Sequence, residues 1–177
     1  MVDTQAVRST AKSADTWTRL EALYRSSRDD VYAYVMTLLR DRMAAEDVTA
    51  LAFERAYRRR LTFDRRRGVE RAWLFGIARN AALDELRRRK RTATLTTEPE
   101  DAQAGVEDGA EIALRRTAVR AALAGLPGRE REIVALKFHG GLDNAELARV
   151  LGVSETGAGT LLYRAMEKLR RACDETL

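Results

Sequence analysis

Two constellations in this 177-residue chain combine residue types and spacings that could do chemistry. The first lies in the last third, Leu126 to Arg171, LPGREREIVALKFHGGLDNAELARVLGVSETGAGTLLYRAMEKLRR. Ala148, Gly152, Val153 and Leu161 fall at helix-turn-helix spacing: a small residue where two helices cross, a glycine for the positive φ of a tight turn, and two apolar plugs between the helices. The second runs from Phe63 to Arg91. It holds Phe63, Arg65, Arg66 and Arg67 in LTFDRRRGV, then Trp73, Arg79, Asn80 and Asp84, then Arg87, Arg88 and Arg91 in RRRKR. Aromatic rings stack on bases, carboxamides read base edges and guanidiniums neutralise phosphates, so nucleic acid is the ligand these types suit. Plainer readings stand beside these. A helical hairpin with a glycine in its turn is common, a charge run is usually a solvated face, Trp73 suits a core, and Asn80 and Asp84 could cap or bridge helices.

The elements that must position these groups are helices. The only prolines, Pro99 and Pro127, sit where apolar periodicity breaks, and the stretches between are rich in Ala, Leu, Arg and Glu, which are good helix formers. From Trp17, apolar residues recur at three and four through Leu20, Leu23, Tyr24, Val31, Tyr34, Val35, Leu38 and Leu39, with an interruption at 41–43. A second helix is expected from Ala44 to Arg59, with Val48, Leu51, Ala52, Phe53 and Ala56 inward. Leu61 to Val69 has no helical period and reads as a loop. A third helix, Glu70 to Arg91, places Leu74, Ile77, Ala78, Ala81 and Leu86 on a core stripe. The expected fold is all-α, with two small helical domains: a disordered N-terminus 1–15, a first domain 16–91, a flexible acidic linker 92–112, and a helix-turn-helix domain 113–177.

Charge is spread unevenly. Residues 1–91 carry 21 Lys/Arg against 13 Asp/Glu, 92–118 carry 2 against 6, and 119–177 carry 9 against 8. The first part is the polycation, suited to phosphate backbones or anionic surfaces. No apolar run approaches the roughly 18 residues of a membrane span, and the first fifteen residues lack the apolar core of a secretory signal; a cytoplasmic protein is expected. One cysteine, Cys173, and one histidine, His139, make neither an internal disulfide nor a metal site. Cys173 reads as a small, partly buried hydrophobe, and His139 as the end of a helix stopped by Gly140 and Gly141. With no nucleophile–base set and no phosphate-cradling glycine loop, no enzyme, cofactor, metal or small-molecule substrate is expected.

Residues 45–57, AEDVTALAFERAY, with 72–84, AWLFGIARNAALD, and RRRKR resemble region 2 of the extracytoplasmic-function (group IV) sigma factors of bacterial RNA polymerase. The LP…RE…ELA..LGVSE pattern resembles their region 4 helix-turn-helix. The resemblance covers about residues 17–172 and implies a factor that binds core RNA polymerase, at its clamp helices and flap, and directs promoter recognition, DNA melting and initiation. It also implies restraint by an anti-sigma factor. For polymerase it implies the stripe Glu46, Asp47, Val48, Leu51, Glu54 and Arg55, with a core role for Val48, Leu51 and Ala52 as the lesser alternative. For the minus-ten element it implies base capture by the Phe63, Arg65, Arg66 and Arg67 loop, a promoter contact at Asn80 with Asp84 on the same face, and phosphate contacts at Arg79, Arg87, Arg88 and Arg91.

Two departures fall on contact surfaces. Many family members carry Gln-Glu where this chain has Ala50 and Leu51. Where the recognition helix usually reads Gly-Thr-Val-Lys-Ser-Arg-Leu, this chain has Thr156, Gly157, Ala158, Gly159, Thr160, Leu161 and Leu162, losing two cations and placing two glycines in a helix at about 1 kcal/mol each. Glu155, Thr156, Thr160, Tyr163 and Arg164 remain to face the groove, with Lys168 toward the backbone, and a weakly electrostatic minus-35 contact is expected. Two rivals stay open: a sigma-like protein that binds polymerase or an anti-sigma factor while reading upstream DNA weakly, and a stand-alone helix-turn-helix regulator.

Overall fold

The computed structural model describes residues 4–60, 63–64, 68–92 and 110–174, with side chains from 17 and from 114 onward in the first and last of these. Seven helices and no strand occur among the described residues. Helix α1, Thr4–Leu39, begins well before Trp17. The stretch 4–15, expected to be disordered, is helical, because no Gly or Pro interrupts residues 1–39 and Ala, Gln, Lys and Arg propagate the turn. Of the expected linker 92–112, residues 93–109 lie outside the described residues, as do Leu61 and Thr62, while 92 and 110–112 are helical.

Arg40 turns the chain out of α1 with φ 53°. Asp41 then caps α2, Arg42–Arg59, accepting from the Ala44 N–H at 3.0 Å. Helix α3, Glu70–Thr92, crosses both. Its inward face is Leu74, Phe75, Ile77, Ala78, Ala81 and Ala82, and the alanines admit the close approach of α1 and α2. Tyr34 of α1 meets Phe75 edge-on, with centroids 5.5 Å apart.

The second half comprises α4, Ala110–Gly125, α5, Gly128–Phe138, α6, Asn144–Leu151, and α7, Glu155–Asp174. Helix α6 opens with a capping box. The Asp143 carboxylate accepts from the Glu146 N–H at 2.8 Å, and the Glu146 carboxylate accepts from the Asp143 N–H at 2.9 Å. It closes on Gly152 at φ 68°, ψ 40°, the left-handed conformation that glycine adopts without strain. Ala148 is buried, and Val153 and Leu161 pack against the core. His139 ends α5, its N–H donating to the Ala135 carbonyl.

The two halves touch. Helix α1 packs on α5 and α3 on α6, and the buried apolar residues of both halves join into one cluster. Two units strung on a linker were the sequence expectation; the structure seats one upon the other.

Candidate nucleic-acid interface

The loop before α3 and the first half of α3 build a cavity of about 440 Å³. Phe63 and Trp73 form its aromatic wall, with ring centroids 5.3 Å apart and tilted by 47°. Asn80 stands on the rim, exposed, two turns along α3. Gly76 adds no side chain to the floor, and Arg59 and Asp64 supply charge at the mouth. An aromatic wall, an exposed carboxamide and flanking cations can stack a base and satisfy its edge. Trp73 serves two ends: its ring lines the cavity and also packs on the core. Arg65, Arg66 and Arg67 lie outside the described residues.

The opposite wall belongs to the second half of the chain. Arg149 and Val150 of α6 line the same cavity. The Arg149 guanidinium lies directly over Gly68, where any Cβ would strike it, and Gly68 itself sits at φ 146°.

The cations and acids of α3 have partners within the protein. Arg79 is not offered to solvent. Its Nε donates to Glu132 Oε1 of α5 at 2.7 Å and its Nη2 to Oε2 at 3.5 Å, with the two side chains 21% and 7% exposed. Beneath this pair, burial and then the Glu132 charge push the Tyr34 phenol well above its ordinary pKa, so Tyr34 is a neutral core side chain. Asp84 accepts from Arg55 of α2 and from Arg87, each at 3.3 Å. Two residues assigned by sequence to different surfaces therefore hold each other across α2 and α3. Arg88 makes a two-point contact with Glu85, and Arg89 joins Glu85 to Asp41, the cap of α2. Arg88 and Arg89 hold the Glu85 carboxyl below its ordinary range; for Asp41 the Ala44 N–H does so first and Arg89 adds to it. Arg87 and Arg91 remain exposed at the end of α3.

On α2 the expected stripe divides. Glu46, Asp47 and Glu54 are exposed, Glu46 paired with Arg42 at 3.1 Å and Glu54 with Arg58 at 2.6 Å. Leu51 and Arg55 are half-buried. Val48 is 4% exposed, so it belongs to the core rather than to a contact surface; it faces inward with Ala52 and Ala45 at helical spacing. Beside this face a groove of about 450 Å³ between α1 and α2 carries Tyr24, Tyr32, Phe53, Arg42 and Glu46.

On α7, Glu155, Thr156, Thr160, Tyr163 and Arg164 all face solvent. Lys168 also lies at the surface, its Nζ donating to Glu130 of α5 at 2.7 Å and bracing the two helices. Ser154, just before α7, accepts from the Gly157 N–H at 3.0 Å.

Sequence reasoning missed the residues that join the halves. Arg71 of α3 donates to Asp30 at 2.6 Å, to the His139 carbonyl at 2.8 Å and to the Gly140 carbonyl at 2.6 Å. Thr37 Oγ1 lies 3.4 Å from His139 Nε2, and Arg40 donates to the Ala124 carbonyl at 2.5 Å. Glu132 gave no signal of its own, since it closes the charged run Arg129–Glu132 just before the apolar Ile133–Leu136.

A three-helix unit bearing an aromatic cavity and a basic helix end, followed by a capped helix-turn-helix, is an arrangement suited to holding nucleic acid at two places. The Sigma-70 region 2 profile matches residues 23–92 and the Sigma-70, region 4 profile matches residues 116–169. The chain is 34% identical over 168 residues to the ECF RNA polymerase sigma factor BldN of Streptomyces coelicolor, spanning 93% of this chain and 62% of that protein. With the ECF RNA polymerase sigma factor SigM of Bacillus subtilis it shares 26% identity over 153 residues, 85% of this chain and 93% of SigM. Among solved structures, the sigma factor RpoE of Bartonella quintana, determined in complex with the anti-sigma factor NepR, has the same fold, with a TM-score of 0.73 at 19% identity over 87% of this chain and 96% of that one. CnrH, determined in complex with the cytosolic domain of CnrY, follows at a TM-score of 0.65 and 23% identity, covering 89% of each chain. The chain belongs to the sigma-70 family, in its extracytoplasmic-function group.

No helix among the described residues is long and apolar enough to cross a membrane.

Proposed function

We propose that this chain is a sigma factor: it binds core RNA polymerase, directs it to a promoter, opens the minus-ten element and starts transcription, with no catalytic activity of its own. It works in the cytoplasm, where core polymerase and DNA are. The observation that carries this reading is the order of the two matched regions along the chain, with Phe63, Trp73 and Asn80 of the first meeting on one cavity. In this reading residues 16–91 hold polymerase and the minus-ten strand, 92–112 span between sites, and 113–177 take the upstream element.

Polymerase meets the exposed face of α2 at Glu46, Asp47, Glu54, Leu51 and Arg55. A base of the unpaired strand enters the cavity, stacking on Phe63 or Trp73 with Asn80 at its edge, while Arg65, Arg66, Arg67, Arg87, Arg88 and Arg91 neutralise phosphates. Extraction of the base costs a few kcal/mol, which stacking and edge hydrogen bonds offset. Glu155, Thr156, Thr160, Tyr163 and Arg164 face the upstream groove, and Lys168 lies toward its backbone. RpoE of Bartonella quintana, which shares this fold, was captured with an anti-sigma factor, and a protein of that kind restrains this one.

Reconstitution with core polymerase and genomic DNA tests the assignment. Defined transcript starts sharing two upstream motifs are expected. Polymerase binding without starts would favour a sigma-like interaction protein, and absence of polymerase binding would leave a helix-turn-helix regulator.

A further inference from the structure

We propose that Trp17, Tyr57 and Arg60 form a second stacking station for single-stranded DNA, which takes a further unpaired base of the strand held at the Phe63–Trp73 cavity. The proposal rests on the sigma-factor reading for the identity of that strand; the station itself is a feature of the surface.

Trp17 of α1 and Tyr57 of α2 meet with ring centroids 4.8 Å apart and tilted by 44°. The Arg60 guanidinium lies over both, 4.1 Å from the Tyr57 centroid and 5.7 Å from that of Trp17, and its Nη1 donates to the Tyr57 carbonyl at 2.8 Å. A pair that served only to pin α1 on α2 would bury its rings, as the Tyr34–Phe75 pair of the same unit does. Trp17 is instead 50% exposed, with Tyr57 and Arg60 half-buried beside it. Two aromatic rings and a planar cation in one patch suit a nucleobase. Every base has a π-face, indole and guanidinium planes stack on it, and the cation also answers the phosphate.

The place of the patch says which strand it meets. Arg59, which lines the cavity, directly precedes Arg60, so their Cα atoms lie about 3.8 Å apart. Val69, on the cavity wall and exposed, directly precedes Glu70, whose carboxylate accepts from Arg19 at 3.1 Å, two residues on from Trp17. Station and cavity therefore sit side by side at one end of the three-helix unit, joined through Arg59 and Arg60. A strand with one base in the cavity carries its phosphates past these cations and brings another base to Trp17. Trp17 lies before residues 23–92, so the station is no part of the matched region 2 pattern.

The test uses the full chain bound to core polymerase and a fluorescent single-stranded DNA carrying the minus-ten element of a promoter located by its transcript start, with one base at a time replaced by an abasic sugar. The parent is expected to lose affinity about fivefold or more at the captured base and again at a further position. Phe63→Ala should erase the first loss and Trp17→Ala the second, while Trp17→Phe keeps both. If Trp17→Ala leaves both positions sensitive, with or without a general fall in affinity, the indole only braces the helices and the proposal is overturned. A second measurement needs neither polymerase nor promoter. In full-length Trp73→Phe protein Trp17 is the sole tryptophan. An oligo(dT) of about ten nucleotides at low salt is expected to quench its emission by about a third or more, with anisotropy of a labelled strand reporting occupancy. A duplex of the same length should leave the emission unchanged. No bound oligo(dT), a bound one without quenching, or equal quenching by duplex overturns the proposal. Defined transcript starts with an unquenched Trp17 leave the sigma-factor reading standing without the station, and quenching without transcript starts upholds the station and removes that reading.

Discussion

Arg79 and Asn80 are neighbours on α3 with opposite circumstances, and the difference sets what each substitution should do. Arg79 is engaged by Glu132, whereas the Asn80 carboxamide stands exposed on the cavity rim. Asn80→Ala is therefore expected to leave unfolding free energy within about 0.5 kcal/mol of the parent. It should cut transcription from a cognate promoter about tenfold or more, since a lost two-point contact to a base is worth about 1–3 kcal/mol. Run-off transcription alongside urea unfolding reads both, and a variant with full transcription would remove Asn80 from the site. For Arg79 and Glu132 the expectation reverses. Glu132→Ala strands a largely buried guanidinium and should cost about 2–4 kcal/mol. In an Arg79→Ala background the same change should cost less, with a coupling of about 1–3 kcal/mol in the double-mutant cycle. Additive effects would mean that the pair is incidental. Residue type and spacing assigned both residues to DNA and could not foresee the pairing of Arg79: its partner lies 53 positions away and no pattern in either segment announces the other.

Helices were the most legible level, because periodicity and caps are local. The pattern of Val48, Ala52, Phe53 and Ala56 gave α2 its inward face, and Asp143, Gly152 and Val153 gave the helix-turn-helix its start and turn. Helix α1 was misjudged at its beginning, where polar residues without apolar period read as disorder although nothing in them breaks a helix. The two glycines of α7 also separate once their surroundings are known. A Cβ at Gly159 would meet only the Asn144 amide at 3.9 Å, which is ordinary contact. Gly159→Ala should thus raise stability by about 1 kcal/mol, as expected for glycine in a helix interior. At Gly157 a Cβ would come within 3.0 Å of Ser154 Oγ, the group that caps this helix. Gly157→Ala should gain much less, because the added methyl presses on the cap. Thermal unfolding of the two variants gives the comparison, and equal stabilisation would refute the role of Ser154. At the opposite end of α6, Asp143→Ala removes half of the capping box and should cost about 1 kcal/mol.

At the scale of the whole molecule, sequence gave the two halves and their unequal charge but not their contact. Contact depends on a few long-range pairs, Arg71 with the His139 and Gly140 carbonyls and Thr37 with His139, which no local pattern encodes. His139 makes this contact sensitive to pH. Burial holds its imidazole below the ordinary pKa, against a smaller upward pull from Asp30, whose carboxylate also faces Arg71. An exposed histidine takes up its proton near pH 6.5, and the half-buried ring of His139 does so only at lower pH. Within that interval the unfolded chain binds more protons than the folded one. The stability that rests on a neutral His139 is fully present above about pH 6.5 and declines as pH falls toward the folded value. Asp41 and Glu85 have carboxyl pKa values held low, so the stability they contribute is lost only below about pH 4, under this window. Urea unfolding between pH 7 and 5.5 should show a loss of about 1 kcal/mol or less in the parent, and His139→Gln, which keeps a hydrogen-bonding side chain but cannot titrate, should flatten the slope. A slope unchanged by that substitution would assign the pH response to another group.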